Sequence, residues 1–326
     1  MKKGEEEPKE PRKVGSGYLL NEPECPNFME LKFLGTGTSC GVPTVGCTCP
    51  TCLSKDPRDK RLRCSALLTF PTRGGLRVLI DAGPDLRMQA LTHGFSSFDG
   101  CVLTHSHSDH ICGMSDLREF NGSNSVDVYG IERTLRGVRS MFDYIWNPHT
   151  AKGGGLPKID LHTIEQFKPF VIEHKKDGSD LKYSVTVTSF PVLHGAREIS
   201  GYVFEWEEDP VKGAKDDGTR KTLRGVAYIT DGSELPKESL DFLLEKRPQV
   251  FVCNALRYED HPTHWNVERA KSLAEQIRPL HGTYLIHMNH FSPHARMAAL
   301  LPPGIQPAFD GLSVLIPLSE STPEDK

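Results

Sequence analysis

From Phe28 the chain alternates apolar and polar positions, FMELKFL, and then breaks into the glycine-rich run GTGTSCG. Alternation at a period of two predicts a strand with one face on a core. CSALLTF and LRVLIDAGPD are two more strand-like runs on either side of a turn at 72–75, which predicts a hairpin. DLRMQALTHG then has helical spacing and a glycine stop. GCVLTH reads as a short buried strand, SVDVYG as another, and IERTLRGVRSMFDYIW as a helix. Strand patterns return at YSVTVTSFPV, GYVFEW, RGVAYITD, QVFVCNAL, GTYLIHMN and GLSVLIP, with helices at PKESLDFLLEKR and NVERAKSLAEQIRPL. Strands outnumber helices, come in runs and are separated by single helices. That rhythm predicts an α/β protein with sheets packed together and helices outside. NPHTAKGGGLPKI (147–159) reads as a loop, and EEDPVKGAKDDGTRKTLRG (207–225) as a polar insertion between two strands.

Composition narrows the class. The 326 residues are 37% hydrophobic and 25% charged, as in an ordinary globular protein, and no run is apolar enough to cross a bilayer. The formal net charge of −4, without a long basic block, argues against a protein that lives on duplex nucleic acid. The start, MKKGEEEPKEPRK, is charged, carries proline and lacks an apolar segment. It predicts a solvated, disordered tail over 1–27 rather than a secretory signal, and one domain from 28 to 326. Nine cysteines, three of them bunched, suit reduced thiols and metal binding in the cytoplasm better than a disulfide framework.

The candidate chemistry lies at strand ends. HSHSDH sets His105, His107, Asp109 and His110 in six positions directly after an apolar run. Imidazole and carboxylate are ligands for zinc, manganese and iron(II), and two close pairs serve two adjacent cations better than one. Further ligands wait at other strand ends: His194 after SFPVL, Asp231 after VAYIT and His287 after TYLI. Asp231 can bridge, because its two oxygens can bind separate ions. Asp81, in LIDAG, is placed to fix a histidine ring from behind.

THSHSDH with distant His, Asp and His resembles the metallo-β-lactamase superfamily. The resemblance spans roughly residues 28–318 and implies an αββα sandwich, two mixed sheets packed face to face, with a dinuclear site on one edge. It also implies that His105, His107 and His194 hold one metal and Asp109, His110 and His287 the other, with Asp231 between them.

VGCTCPTC supplies a second candidate centre, Cys47, Cys49 and Cys52, three-quarters of a tetrahedral structural zinc site. Spacing alone does not choose the fourth ligand, although His290 lies three residues beyond His287. LGTGTSCGVPTVGCTCPTC together with THSHSDH and HMNH is similar to the PhnP-type phosphodiesterases of that superfamily. That likeness implies hydrolysis of a small cyclic or nucleotide-like phosphodiester by metal-activated water, two catalytic Zn or Mn ions, and one structural Zn on Cys47, Cys49, Cys52 and His290. It further implies a general acid in RYEDHPTHWN, with His264 preferred and His261 the alternative. Arg257 is a candidate fork donor to a substrate phosphate. Small residues in GTGTSCG are expected to let that loop pass close to the metals. A tRNA 3′-processing endonuclease, a lactone or thioester hydrolase and a non-catalytic cofactor-biosynthesis accessory protein are the rival readings. No membrane partner is expected, and a homodimer is left open.

Overall fold

The structure is a computed structural model describing residues 28–71, 74–122, 124–150, 153, 155–175, 182–207 and 222–318. The expected tail over 1–27 and nearly all of the expected insertion lie outside the described residues. At the edges of that insertion the chain is already strand, with Glu207 closing one and Thr222 opening the next.

Fourteen strands form two sheets of seven. The first holds β1 (Phe28–Gly35), β2 (Ser65–Phe70), β3 (Leu76–Ile80), β4 (Gly100–Val102), β5 (Val126–Ile131), β6 (Ile159–Ile164) and β14 (Ser313–Pro317), in the order β14-β1-β2-β3-β4-β5-β6. The second holds β7 (Pro169–Lys175), β8 (Lys182–His194), β9 (Arg197–Glu207), β10 (Thr222–Tyr228), β11 (Val250–Asn254), β12 (Thr283–Ile286) and β13 (Ile305–Pro307), in the order β13-β12-β11-β10-β9-β8-β7. The helices are α1 (Leu86–His93), α2 (Ser108–Ile111), α3 (Glu132–Met141), α4 (Asp143–Trp146), α5 (Lys237–Lys246), α6 (Val267–Ile277) and α7 (His294–Leu300).

Three apolar clusters define the layers. Met29, Leu31, Phe33, Val78 and Ile80 of the first sheet meet Val226, Tyr228, Val250 and Val252 of the second in the central cluster. The alternate residues Leu34 and Leu79 face outward onto Leu86 of α1 and Leu135 and Val138 of α3. On the far side Ala227, Phe251 and Cys253 meet Leu243 of α5 and Ala270 and Leu273 of α6. Central strands are therefore buried on both faces, which is why they read as unbroken apolar runs rather than alternating ones. The result is the expected αββα sandwich.

Four features differ from expectation. β6 and β7 close the outer edges of the two sheets, and in β6 only Ile159 and Ile164 are buried, so its polar pattern hides a strand. Part of the loop expected over 147–159 is turn, and the strand begins at Ile159. The single helix read into IERTLRGVRSMFDYIW is two, because Phe142 leaves helical geometry (φ −119°, ψ 39°) to bury its ring in the core. The short α7 buries only His294 and Met297, too few positions to register as a periodic pattern.

Candidate metal centre

Three parallel strand ends deliver ligand-type side chains to one rim, and each does so on an unusual backbone. Asp81 follows β3, Asp231 follows β10 and His287 follows β12, with φ of 59°, 57° and 56°. Left-handed geometry costs a non-glycine residue about 1–2 kcal/mol. That it recurs at three site positions marks a constraint met by the packing around them.

A chain of hydrogen bonds fixes the imidazoles. Asp81, fully buried, accepts from the Thr104 amide at 2.8 Å, from Thr104 Oγ1 at 2.8 Å and from His110 Nδ1 at 2.7 Å. Thr104 Oγ1 has given its proton to Asp81, so at 3.1 Å it accepts from His105 Nδ1. His194 Nδ1 lies 2.8 Å from the Thr263 carbonyl, which only accepts. In all three rings Nδ1 is thus committed to a neighbour and Nε2 is turned to the rim. A carboxylate or carbonyl behind the ring is the usual way a ligating histidine is oriented.

The Nε2 of His105 is buried with no hydrogen-bond partner, and that of His110, equally buried, makes no well-aligned hydrogen bond to the carboxylates beside it. An orphaned buried nitrogen is costly unless something binds it. Around them, His105, His107 and His194 form one set, His105, His110 and Asp231 a second, and His194, Asp231 and His264 a third, with ligand atoms within 4.8 Å of one another in each. Asp231 is the hub. Its Oδ1 stands 3.1 Å from His264 Nε2, and its Oδ2 stands 3.3 Å from His110 Nε2 and 3.1 Å from His287 Nδ1. Asp109 reaches the cluster at 3.2 Å from His110 Nε2. His287 adjoins Asp231 but belongs to none of the three sets, and its Nε2 lies 3.2 Å from Thr38 Oγ1.

Electrostatics separates these imidazoles. Burial, reinforced by His110 and His107, pushes His105 well below the ordinary histidine range. Burial also opposes charge on His110 and His287, yet the surrounding carboxylates win, raising His110 strongly and His287 to about 10. Protons on those rings balance Asp109 and Asp231, and a divalent cation binding there would displace them. The donor set, its orphaned nitrogens and its paired charge fit divalent cations.

Glycines make the close approach possible. A Cβ on Gly83 would lie 2.1 Å from the Asp109 carbonyl oxygen, and one on Gly113 would lie 2.2 Å from that of Gly83. The strand-end loop therefore packs directly on the turn carrying Asp109 and His110. Gly83→Ala is expected to cost about 1–3 kcal/mol through overpacking and to lower bound metal. Thermal unfolding and metal analysis of the purified variant check both. The GTGTSCG loop does pass close to the site: Gly35 and Gly37 pack tightly against residues 61–63, and Thr38 reaches His287.

The remaining candidates fall into place around this rim. Burial lowers His264 to about 4 despite Asp231, and its Nδ1 lies 3.1 Å from His261 Nδ1. An open cleft of about 460 Å³ adjoins both, lined in part by Ser233, Asn266, Arg269 and Ser272. Arg257 donates to the carbonyls of Glu259 and Asp260 at 3.4 and 2.7 Å. Sequence reasoning passed over Thr104, Thr230 and Thr38. The first two directly precede His105 and Asp231 at strand ends, which is the signal available for them.

Cys47, Cys49 and Cys52 converge on His290, their Sγ atoms 3.1, 3.5 and 3.5 Å from its Nδ1. Tetrahedral zinc with Zn–S near 2.3 Å and Zn–N near 2.0–2.1 Å places sulfur and nitrogen about 3.5 Å apart. The cluster has that size. The Cys52 amide, foremost, draws the Cys49 thiol down to about 6, whereas burial pushes Cys52 up to about 11.

A sequence model of the β-lactamase superfamily domain matches residues 76–288. The chain belongs to the metallo-β-lactamase superfamily. A solved structure described as a new diphosphatase from the PhnP family is 33% identical, with a TM-score of 0.70 over 90% of this chain and 99% of that one. Zinc-bound PqqB from Methylobacterium extorquens shares the fold, at 18% identity and a TM-score of 0.61, covering 87% of this chain and 99% of that one. An octanoyltransferase from Porphyromonas gingivalis is 34% identical over 88% of this chain, which spans only 52% of that protein. Membership of the superfamily, with the diphosphatase likeness, supports a metal-dependent hydrolase. No helix among the described residues is long and apolar enough to cross a membrane.

Proposed function

We propose that this metal-dependent hydrolase is a phosphodiesterase acting on a small phosphodiester or diphosphate. The observation that carries the reading is the hub at Asp231, whose two oxygens face different imidazole sets across one rim. Likeness over nearly the whole chain to a diphosphatase of the PhnP family supports phosphorus as the centre attacked. In this reading His105, His107 and His194 would hold one cation and Asp109, His110 and His287 the other, with Asp231 shared. Bound there, they would supply a nucleophile at neutral pH and offset charge on the phosphoryl oxygens.

The protein's own groups do the rest. Asp81 and Thr104 hold the rings in one tautomer, so the donor atoms need no reorganisation. His264, with Nε2 toward the rim and Nδ1 on His261, is placed to pass a proton to the departing alkoxide, a role that requires the anionic substrate to raise it from the low range it holds in the free protein, and the adjoining cleft gives that alcohol room. Cys47, Cys49, Cys52 and His290 would carry a structural zinc that ties the chain beyond β1 to the segment following His287.

Protein loaded with manganese or zinc is expected to turn over bis(p-nitrophenyl) phosphate, and neither a lactone nor precursor tRNA. Turnover of the lactone or the tRNA with no small diester cleaved would overturn the reading. His264→Ala is expected to slow a dinucleotide with an alkoxide leaving group by about 100-fold. Nitrophenolate leaves without a proton, so its diester should suffer less than about tenfold. Equal losses on both substrates would remove His264 from that role.

A further inference from the structure

We propose that Arg197 is the specificity residue of this site, binding a second anionic group on the substrate, one phosphate removed from the phosphorus that reacts. The inference rests on the phosphodiesterase reading and adds a substrate class to it.

β8 ends at His194, β9 begins at Arg197, and the two residues are directly opposed across a turn of Gly195 and Ala196. Opposed residues of an antiparallel pair project to the same face of the sheet, with Cβ atoms about 4.5–5.5 Å apart. The ring of His194 enters the cluster, 5.6 Å from His105, 5.1 Å from His107 and 4.7 Å from His264 between centroids. Arg197 therefore leaves the strand beside that ring, at the lip of the cluster. Glu198, opposed to Leu193, points to the other face.

The tip carrying Arg197 is fixed. The Gly195 amide donates to Ser233 Oγ at 2.8 Å, Ser233 Oγ donates to the Leu193 carbonyl at 2.9 Å, and His194 Nδ1 donates to the Thr263 carbonyl at 2.8 Å. Gly195 sits in the left-handed region (φ 59°), and a Cβ there would come within 3.1 Å of Thr263 Cγ2. A guanidinium on so constrained a turn is presented rather than trailing in solvent.

Three other arginines are committed elsewhere, and Arg269 lines the cleft beside His261 and His264. Arg61 is fully buried on the Asn289 and Ser292 carbonyls and Asp59, Arg63 sits 2.9 Å from Asp85, and Arg257 holds backbone carbonyls. Among the described residues Arg197 has no ion pair, although it is partly buried, and the site carboxylates Asp109 and Asp231 are engaged by imidazoles. Cations on the imidazoles suffice for one phosphoryl group. A further fixed cation at the lip suits a second, and the guanidinium fork matches phosphate oxygens two at a time.

The test reads AMP and ADP, which differ by one phosphoryl group, as competitive inhibitors of bis(p-nitrophenyl) phosphate turnover by the metal-loaded protein. ADP is expected to inhibit at least about tenfold more tightly than AMP. Arg197→Ala should erase most of that ratio and Arg197→Lys should keep part of it. Metal content and thermal unfolding verify that the variants are folded. A ratio near one in the wild-type protein, or an unchanged ratio in Arg197→Ala, overturns the inference. If bis(p-nitrophenyl) phosphate is not turned over at all, it is the phosphodiesterase reading that falls. Calorimetric titration of the loaded protein with the two nucleotides then still reads the ratio.

Discussion

Asp231→Ala is expected to abolish turnover of a phosphodiester, by roughly a thousandfold or more, and to strip metal from the purified protein. The two effects have one cause. Asp231 is the only described residue whose carboxylate stands within 3.3 Å of ring nitrogens on His110, His264 and His287 together. Its removal would take away oxygens that face two imidazole sets and the negative charge that would offset bound cations. Asp231→Asn keeps size and shape but not the charge, and should lose metal nearly as fully. Metal analysis alongside kcat on bis(p-nitrophenyl) phosphate decides it. Normal stoichiometry with normal turnover in Asp231→Ala would exclude the hub. Thermal unfolding gives an independent readout. Ligands that bind only the folded state raise its stability, so added zinc or manganese should raise the Tm of the wild-type protein and leave that of Asp231→Ala nearly unmoved.

Cys49→Ser is expected to release one zinc per chain and to destabilise the fold without emptying the other centre at once. The three thiols and His290 lie at the edges of one small tetrahedron, and a serine hydroxyl is a poor substitute for thiolate on zinc. Losing a structural metal belongs among the large single-residue effects, on the order of 3–5 kcal/mol. At roughly 2–4 °C per kcal/mol, Tm should fall by about 10 °C. His290 lies three residues after His287, and the segment is held from behind by Arg61, whose guanidinium donates to the Asn289 carbonyl at 3.0 Å and the Ser292 carbonyl at 2.7 Å. That buried anchor explains why His287 should keep its place when the cysteine cluster fails. Unchanged zinc in Cys49→Ser would reject the assignment of Cys49.

Much of this was legible because the chain places chemistry at the ends of apolar runs. A strand buried on both faces must be written almost wholly in Val, Ile, Leu, Phe and Tyr, so VLTHSHSDH, VAYITD and TYLIHMNH announce both the strand and the point where it leaves the core. Ligand-type residues immediately beyond such runs were visible one by one. The edge strands β6, β7 and β13 were not, whereas the edge strand β14 was visible as GLSVLIP. β6 buries only two of its six side chains, and the same alternation would serve an exposed loop.

The sequence by itself determined the layers and the inventory of donors: which runs must be central strands, which helices cover them, and which histidines, carboxylates and thiols stand at their ends. Tertiary structure decided which of those donors meet and which nitrogen each presents. Asp81 reaches Thr104 and His110 from the neighbouring parallel strand, the Thr263 carbonyl sets the tautomer of His194 from 69 residues away, and His290 joins the three cysteines from more than 230 residues beyond them. Periodicity along a chain reports which face of an element is dry. It holds no record of which strand lies next to which, and a metal site is made of those neighbours.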